Sequence, residues 1–158
     1  LREVLYRTIN ISDNCGYYML VDRFGRDGYN RWLDSLGVQY LHLLRPTSNW
    51  TSVCTRDLAI IWNEIYSYYQ TGTLTAKTMF NYFLNAQYNY LKVLLPGYQI
   101  AHKSGWTQTT FNDAGIVLEH SEGPYLIAIL TSDREGNILC PLAKYLDEIM
   151  VDYFNWLD

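Results

Sequence analysis

His102-Lys103-Ser104-Gly105-Trp106 is the stretch on which the reading of this chain turns. A Pro96-Gly97 turn and a short extended run, Tyr98-Gln99-Ile100-Ala101, precede it, and two further strand-like runs and a final helix follow. A lysine, a hydroxyl and a glycine in succession at a strand end set a fixed positive charge, a hydrogen-bond donor and bare backbone on one rim. Such a rim suits an anionic substrate lying alongside the strand. Lys-Ser-Gly also occurs in ordinary turns, so the weight of this motif depends on a second one far upstream, Ser12-Asp13-Asn14.

Size and composition frame both motifs. At 158 residues and 49% hydrophobic, the chain suffices for one domain with a core and is too short for two. The low charged fraction, 18%, and the 15 tyrosines point to a folded, aromatic-rich protein. Net charge is −4, with no run of lysines or arginines to concentrate positive potential, which argues against a nucleic-acid partner. Cys15, Cys54 and Cys140 are odd in number and widely spaced. They read as buried or half-buried free thiols, neither a disulfide framework nor a C-x-x-C metal site. His42, His102 and His120 have no ligand spacing between them and read as satisfied or exposed side chains, so no metal is expected. No apolar run approaches the roughly 20 residues of a membrane span, and no signal peptide is recognisable. The first residues, Leu1-Arg2-Glu3-Val4-Leu5, already lie inside a helical pattern, which reads as a cut within a larger protein.

Taken in order, residues 1–9 read as the end of a helix, with Val4, Leu5 and Ile9 at helical spacing. Asp13 and Asn14 suit the opening of a second helix over Tyr17 to Phe24, closed by Gly25. Asp27 is placed to cap a third, in which Tyr29, Trp32, Leu33 and Leu36 share a face before Gly37. Residues 38–53, with Pro46, Ser48, Asn49 and Trp50, have no period and read as a surface loop without a single Asp or Glu. Asn10-Ile11-Ser12 and Asn49-Trp50-Thr51 match the glycosylation sequon, a pattern too loose to carry weight. Thr55 is predicted to cap a strong amphipathic helix bearing Leu58, Ile61, Trp62, Ile65 and Tyr69, with Gly72 past its end. Thr75 is predicted to cap another with Phe80, Phe83 and Leu84, and Tyr90 to Leu95 form a short last turn. Tyr66, Tyr68 and Tyr69 read as packing.

After residue 97 the pattern changes to three β-rich runs, Tyr98 to Lys103, Ala114 to Glu119 and Tyr125 to Thr131. The last two are joined by His120-Ser121-Glu122-Gly123-Pro124, which suits a hairpin. A long helix follows Gly136-Asn137, with Leu142, Leu146, Ile149, Tyr153 and Leu157 expected across the sheet. The predicted class is α+β: a helical part, 1–97, then a three-stranded antiparallel sheet and a C-terminal helix, 98–158.

With both motifs in place, the chain resembles the penicillin-recognising serine hydrolases, most closely the class A β-lactamase type, marked by S-x-x-K, then S-D-N, then K-[S/T]-G. Ser12-Asp13-Asn14 and Lys103-Ser104-Gly105 stand in that order, with a helical stretch between them. Leu1-Arg2-Glu3 resembles the family's preceding helix, and Leu94-Leu95-Pro96-Gly97 its approach to the strand. No serine in the chain has a lysine three places on, so the nucleophile and its lysine are expected upstream of Leu1. The resemblance therefore implies the C-terminal portion of one β-lactamase/transpeptidase-like domain over 1–158. The acid-free loop 38–53 departs from class A enzymes, which carry there a glutamate that activates the deacylating water. That departure implies slow deacylation and favours a peptidase-like or divergent member.

Carried over residue by residue, the resemblance implies that Ser12 relays a proton to the leaving-group nitrogen, with Lys103 beside it. Asn14 would bind the catalytic lysine and the substrate's acylamide together. Lys103 and Ser104 would face the substrate carboxylate, and Gly105 would let backbone approach closely. The main-chain N–H of Trp106 would be an oxyanion-hole donor, a contribution worth about 3–4 kcal/mol of barrier in enzymes of this kind. Taken separately, Ser12 and Asp13 also suit a plain helix cap, and Lys103 a solvated strand-end charge. Jointly they favour acyl-serine chemistry on β-lactam or D-alanyl amides, without metal or organic cofactor. The alternative is a non-catalytic relative serving as a binding or scaffolding module. The implied partners are that substrate and the remaining N-terminal part of the domain, with an exposed strand edge open to self-association. An extracytoplasmic or membrane-anchored parent follows from the resemblance alone. The 158 residues by themselves are predicted to be inactive.

Overall fold

Two helical layers enclose a three-stranded antiparallel sheet of order β1-β2-β3. The computed structural model describes every residue except 44–50, 89, 121, 122, 134, 136 and 158. The part of the predicted surface loop carrying Pro46, Ser48, Asn49 and Trp50, the second sequon's asparagine, and the Ser121-Glu122 and Gly136 turn positions lie outside those residues. The elements are α1 (Arg2–Ile9), α2 (Asn14–Phe24), α3 (Asp27–Ser35), α4 (Thr55–Gln70), α5 (Leu74–Leu84), α6 (Tyr90–Leu94), β1 (Ile100–Trp106), β2 (Phe111–Val117), β3 (Tyr125–Thr131) and α7 (Leu139–Leu157). Among the described residues no helix is long and apolar enough to cross a membrane.

The pleat of the sheet sends alternate residues to opposite layers. Ala101, Ala114 and Ile116 join Trp62, Phe80 and Phe83 of α4 and α5 in one core. Ile100, Val117, Tyr125, Ile127 and Ile129 join Leu91, Leu95, Leu139 and Ala143 of α6 and α7 in the other. Tyr69 stacks on Phe80 at 4.0 Å, Tyr66 lies 6.3 Å from the same ring, and Tyr68 is exposed.

Several predicted boundaries move, each for a physical reason. β1 begins later and runs through Gly105 and Trp106, because it pairs residue for residue with β2 from Ile100↔Val117 to Trp106↔Phe111. The Thr107 N–H closes that hairpin on the Thr110 carbonyl at 3.0 Å. Lys103 is therefore mid-strand, not at a strand end, and β2 starts at Phe111 instead of Ala114. Thr73, not Thr75, caps α5, accepting from Ala76 N at 3.2 Å. Thr55 is the first residue of α4 behind Cys54, and Asp27 the first of α3 behind Arg26. On α3 it is Leu33 that is buried, with Tyr29 and Trp32 exposed. On α7 the inward face is Leu139, Leu142, Ala143, Leu146 and Met150. At 100° per residue Ile149 and Tyr153 turn onto a flank, and together with Leu157 they are exposed. Cys15 and Cys140 are exposed and Cys54 is half-buried, since the first two sit on outer faces of α2 and α7.

The start of the acid-free loop is held by an acid outside it. Asp57, fully buried in the first turn of α4, accepts from the N–H groups of Gln39 (3.0 Å), Tyr40 (2.7 Å) and Leu41 (3.0 Å). Burial pushes this carboxyl up, but those donors and the Cys54 thiol together hold it below the ordinary carboxylate range. The folded form thus binds its proton less readily than the unfolded chain, so the contribution is present above about pH 4 and fades as pH falls through the folded value. Asp57→Asn is expected to cost about 2 kcal/mol in urea denaturation at pH 7, with the gap to wild type closing in acid.

Candidate active site

Ser12 stands in a corner that the chain before it forces. α1 ends at Ile9, and Asn10, itself buried, donates its side-chain amide to the Asn85 carbonyl while accepting from Gln87 N at 2.7 Å. Asp13 N–H turns back onto the Arg7 carbonyl at 2.9 Å, and the Asp13 side chain caps α2 by accepting from Cys15 N at 2.8 Å. Between these anchors Ser12 is the one described non-glycine residue with positive φ, +57°. A left-handed residue other than glycine, asparagine or aspartate signals a position fixed by its surroundings. Gly16 lets α1 and α2 close up, since a Cβ there would sit 2.5 Å from Thr8 Oγ1.

The other half of the site is β1. Lys103 lies on the face shared with Ala101, towards the helices, and its half-buried Nζ donates to Ser12 Oγ at 2.7 Å and to the Ser104 carbonyl at 2.7 Å. Burial pushes the Lys103 ammonium down from the ordinary lysine value, and the Asp113 carboxylate opposes that. Two of its three N–H bonds are used, which leaves one for an incoming anion. Ser12 and Lys103, Asp13, Asn14, Ser104, Gly105 and Trp106 line one cleft of about 370 Å³ with Thr8 and Tyr17.

Every residue singled out from the sequence therefore borders the same space, in different postures. Asn14 is exposed on the rim as the first residue of α2. Ser104 is buried and its hydroxyl donates to the Tyr88 carbonyl at 3.0 Å. Its single proton is thus committed to Tyr88. The Trp106 ring is exposed and meets Tyr88 edge-on at 4.7 Å. Among the described residues no group of three His, Cys, Asp or Glu side chains could hold a metal ion.

Sequence reasoning missed three residues. Asn10 ties the Ser12 corner to the end of α5. His102 and Asp113 form a fully buried pair on the far side of β1, with Nδ1 3.0 and 3.1 Å from the two carboxylate oxygens. Asp113 also accepts from Leu91 N at 3.2 Å. Its signal was present, an aspartate in an otherwise uncharged strand run, where that residue is disfavoured unless it has a partner. Gly115, facing His102 across the ladder, lets the two strands close up: a Cβ there would lie 2.3 Å from the Ala101 carbonyl oxygen and 2.7 Å from His102 Cβ.

Residues 1–145 match the β-lactamase enzyme family. This chain belongs to that family. Among solved structures the β-lactamase-family chain is similar to PBP-A, with TM-score 0.78 and 23% identity over 96% of this chain and 61% of that one. It is likewise similar to a PBP-A variant solved as an acyl-enzyme complex with penicillin G (TM-score 0.77, 23%, 96% and 61%). The TLA-3 extended-spectrum β-lactamase (0.77, 22%, 95% and 64%) and a class A β-lactamase from Bacteroides cellulosilyticus (0.77, 22%, 91% and 61%) share the same fold. The chain thus spans about three-fifths of the length of these structures. A comparison with curated proteins gives no match.

The strained corner can be checked through stability. Ser12→Gly is expected to be about 1 kcal/mol more stable than Ser12→Ala in urea denaturation, because both lose the hydroxyl while glycine alone accepts positive φ without cost.

Proposed function

We propose that this chain is part of an acyl-serine hydrolase acting on β-lactam or D-alanyl amides, with the nucleophilic serine and its lysine on a part of the domain outside these 158 residues. The observation that carries the reading is the 2.7 Å contact of Lys103 Nζ with Ser12 Oγ at the floor of the shared cleft. A hydroxyl that accepts from an ammonium keeps its own proton free to give, which is what a leaving amide nitrogen requires. In this reading Ser12 passes that proton, Lys103 replenishes it and holds the substrate anion with its remaining N–H, and Asn14 receives the acylamide from the rim. Ser104 and Gly105 border the anion, and the Trp106 main-chain N–H stabilises the oxyanion. The substrates belong to the cell wall, so the parent protein works outside the cytoplasm or on its membrane.

The test is covalent labelling. A full-length protein carrying this chain is expected to be labelled by a fluorescent penicillin on a serine outside residues 1–158, and to release it slowly, given the absence of Asp and Glu from 38–53. Ser12→Ala or Lys103→Ala should slow labelling by about a hundredfold or more. An unlabelled wild-type protein would instead mark a binding or scaffolding relative. The isolated 158 residues should show no turnover.

The same reading leaves β3 as an outer strand of the sheet whose seven residues carry no charge. Beside it the flank of α7 exposes Tyr145, Ile149, Tyr153 and Trp156. Light scattering on the isolated chain is expected to show concentration-dependent association, as uncharged edges and apolar flanks promote, and a monomer at high concentration would argue against a missing neighbour.

A further inference from the structure

We propose that Asp113 is a positioning residue for the Ser12–Lys103 centre: a buried carboxylate, left uncancelled by a neutral His102, that backs the Lys103 ammonium through the sheet and locks β1 to α6. The inference rests on the acyl-transfer reading above for its functional consequence, but not for its chemistry.

The protonation state follows from the hydrogen bonds. His102 and Asp113 are 0% and 1% exposed, and His102 Nδ1 lies within 3.1 Å of both carboxylate oxygens. A proton on Nδ1 fills that contact with the carboxylate as acceptor, and the other tautomer would place it on Nε2. Among the described residues His102 Nε2 has no partner although it is buried. A second proton there would create an unsatisfied buried N–H on a cation, whereas a bare lone pair costs far less. The ring is accordingly neutral, and Asp113 keeps its charge, steadied by Leu91 N.

That charge sits next to the lysine. Asp113 pairs with Ser104 across the ladder, and its neighbour Ala114 pairs with Lys103. The two side chains leave opposite faces of the sheet, Asp113 into the core beside α6 and Lys103 into the half-buried floor of the cleft, so their Coulomb interaction passes through the strands between them. Asp113 is faced by His102 of β1 and by Tyr90 of α6, whose phenol its charge helps to push up after burial. Lys103 is faced by Ser12, Asp13 and Tyr17 from the α1–α2 corner. Of the two aspartates, Asp13 is committed to capping α2, and Asp113 is the one that offsets the effect of burial on Lys103. Asp113 thus couples the chain segment at α6, which also receives the Ser104 hydroxyl through Tyr88, to the strand that bears the ammonium.

Nitrogen-15 NMR of His102 in this chain at pH 7 should show one protonated ring nitrogen, Nδ1, and one bare, Nε2. A doubly protonated ring would cancel the charge and overturn the proposal. Carbon-13 NMR titration of Lys103 in the same chain should place its midpoint lower in Asp113→Asn than in wild type, and no displacement would overturn it. In the full-length protein, the alkaline limb of penicillin acylation should move the same way in Asp113→Asn, while His102→Asn slows acylation with the limb in place. A merely structural pair would slow both variants and move neither limb. Should wild type prove unreactive, the acyl-transfer reading fails by itself and the two NMR measurements still decide; should Asp113→Asn not fold, the His102 tautomer decides on wild type.

Discussion

The contact of the Lys103 ammonium with the Ser12 hydroxyl joins two segments 91 residues apart and is what the rest of the structure is arranged to permit. An ammonium is strongly hydrated, and bringing it half out of water is tolerable only where oxygen atoms replace the lost shell. Ser12 and the Ser104 carbonyl supply two such atoms. The α1–α2 corner must then come within reach of a mid-strand lysine, and the close crossing at Gly16 holds that corner tight. Asn10 holds the corner from behind by tying it to the end of α5.

β1 uses its two faces for different work. The face towards α4 and α5 carries the lysine that meets the cleft, while the opposite face carries His102 and Ser104, engaged with the buried Asp113 and with the Tyr88 carbonyl just before α6. Since successive side chains of a strand alternate, a charge on one face and its counter-charge on the other can be brought together without sharing a surface with solvent. The loop that follows α3 is treated in a comparable way: it has no acid of its own, and the carboxylate of Asp57 organises its backbone from the next helix.

Much of this was legible in the chain itself, and the exceptions have physical causes. The helices over 14–24, 55–70 and 74–84, the three strands and the terminal helix follow from apolar periodicity, which is a local property. Strand limits are not local: Gly105 and Trp106 belong to β1 because Phe111 and Asn112 pair with them. Nor is the rotation of a long helix: the spacing points Ile149 and Tyr153 inward, although the core line runs through Leu146 and Met150. Ser12, Lys103 and their neighbours could be grouped because two chemically distinctive triplets appear in a recognisable order. His102 and Asp113 could not, since neither residue type identifies its partner and only the pairing of β1 with β2 brings them together. Asp57 escaped for a related reason, as three of its partners are backbone groups.

Gly115 carries a further consequence. A side chain there would meet the Ala101 carbonyl oxygen and the Cα and Cβ of His102, main chain and near-main-chain atoms that cannot swing aside. Any residue but glycine at 102 presents the same Cβ, so shortening the imidazole would not relieve the crowding. A library that randomises 115 should therefore return glycine whatever occupies 102, the spacing of two backbones having fixed the letter.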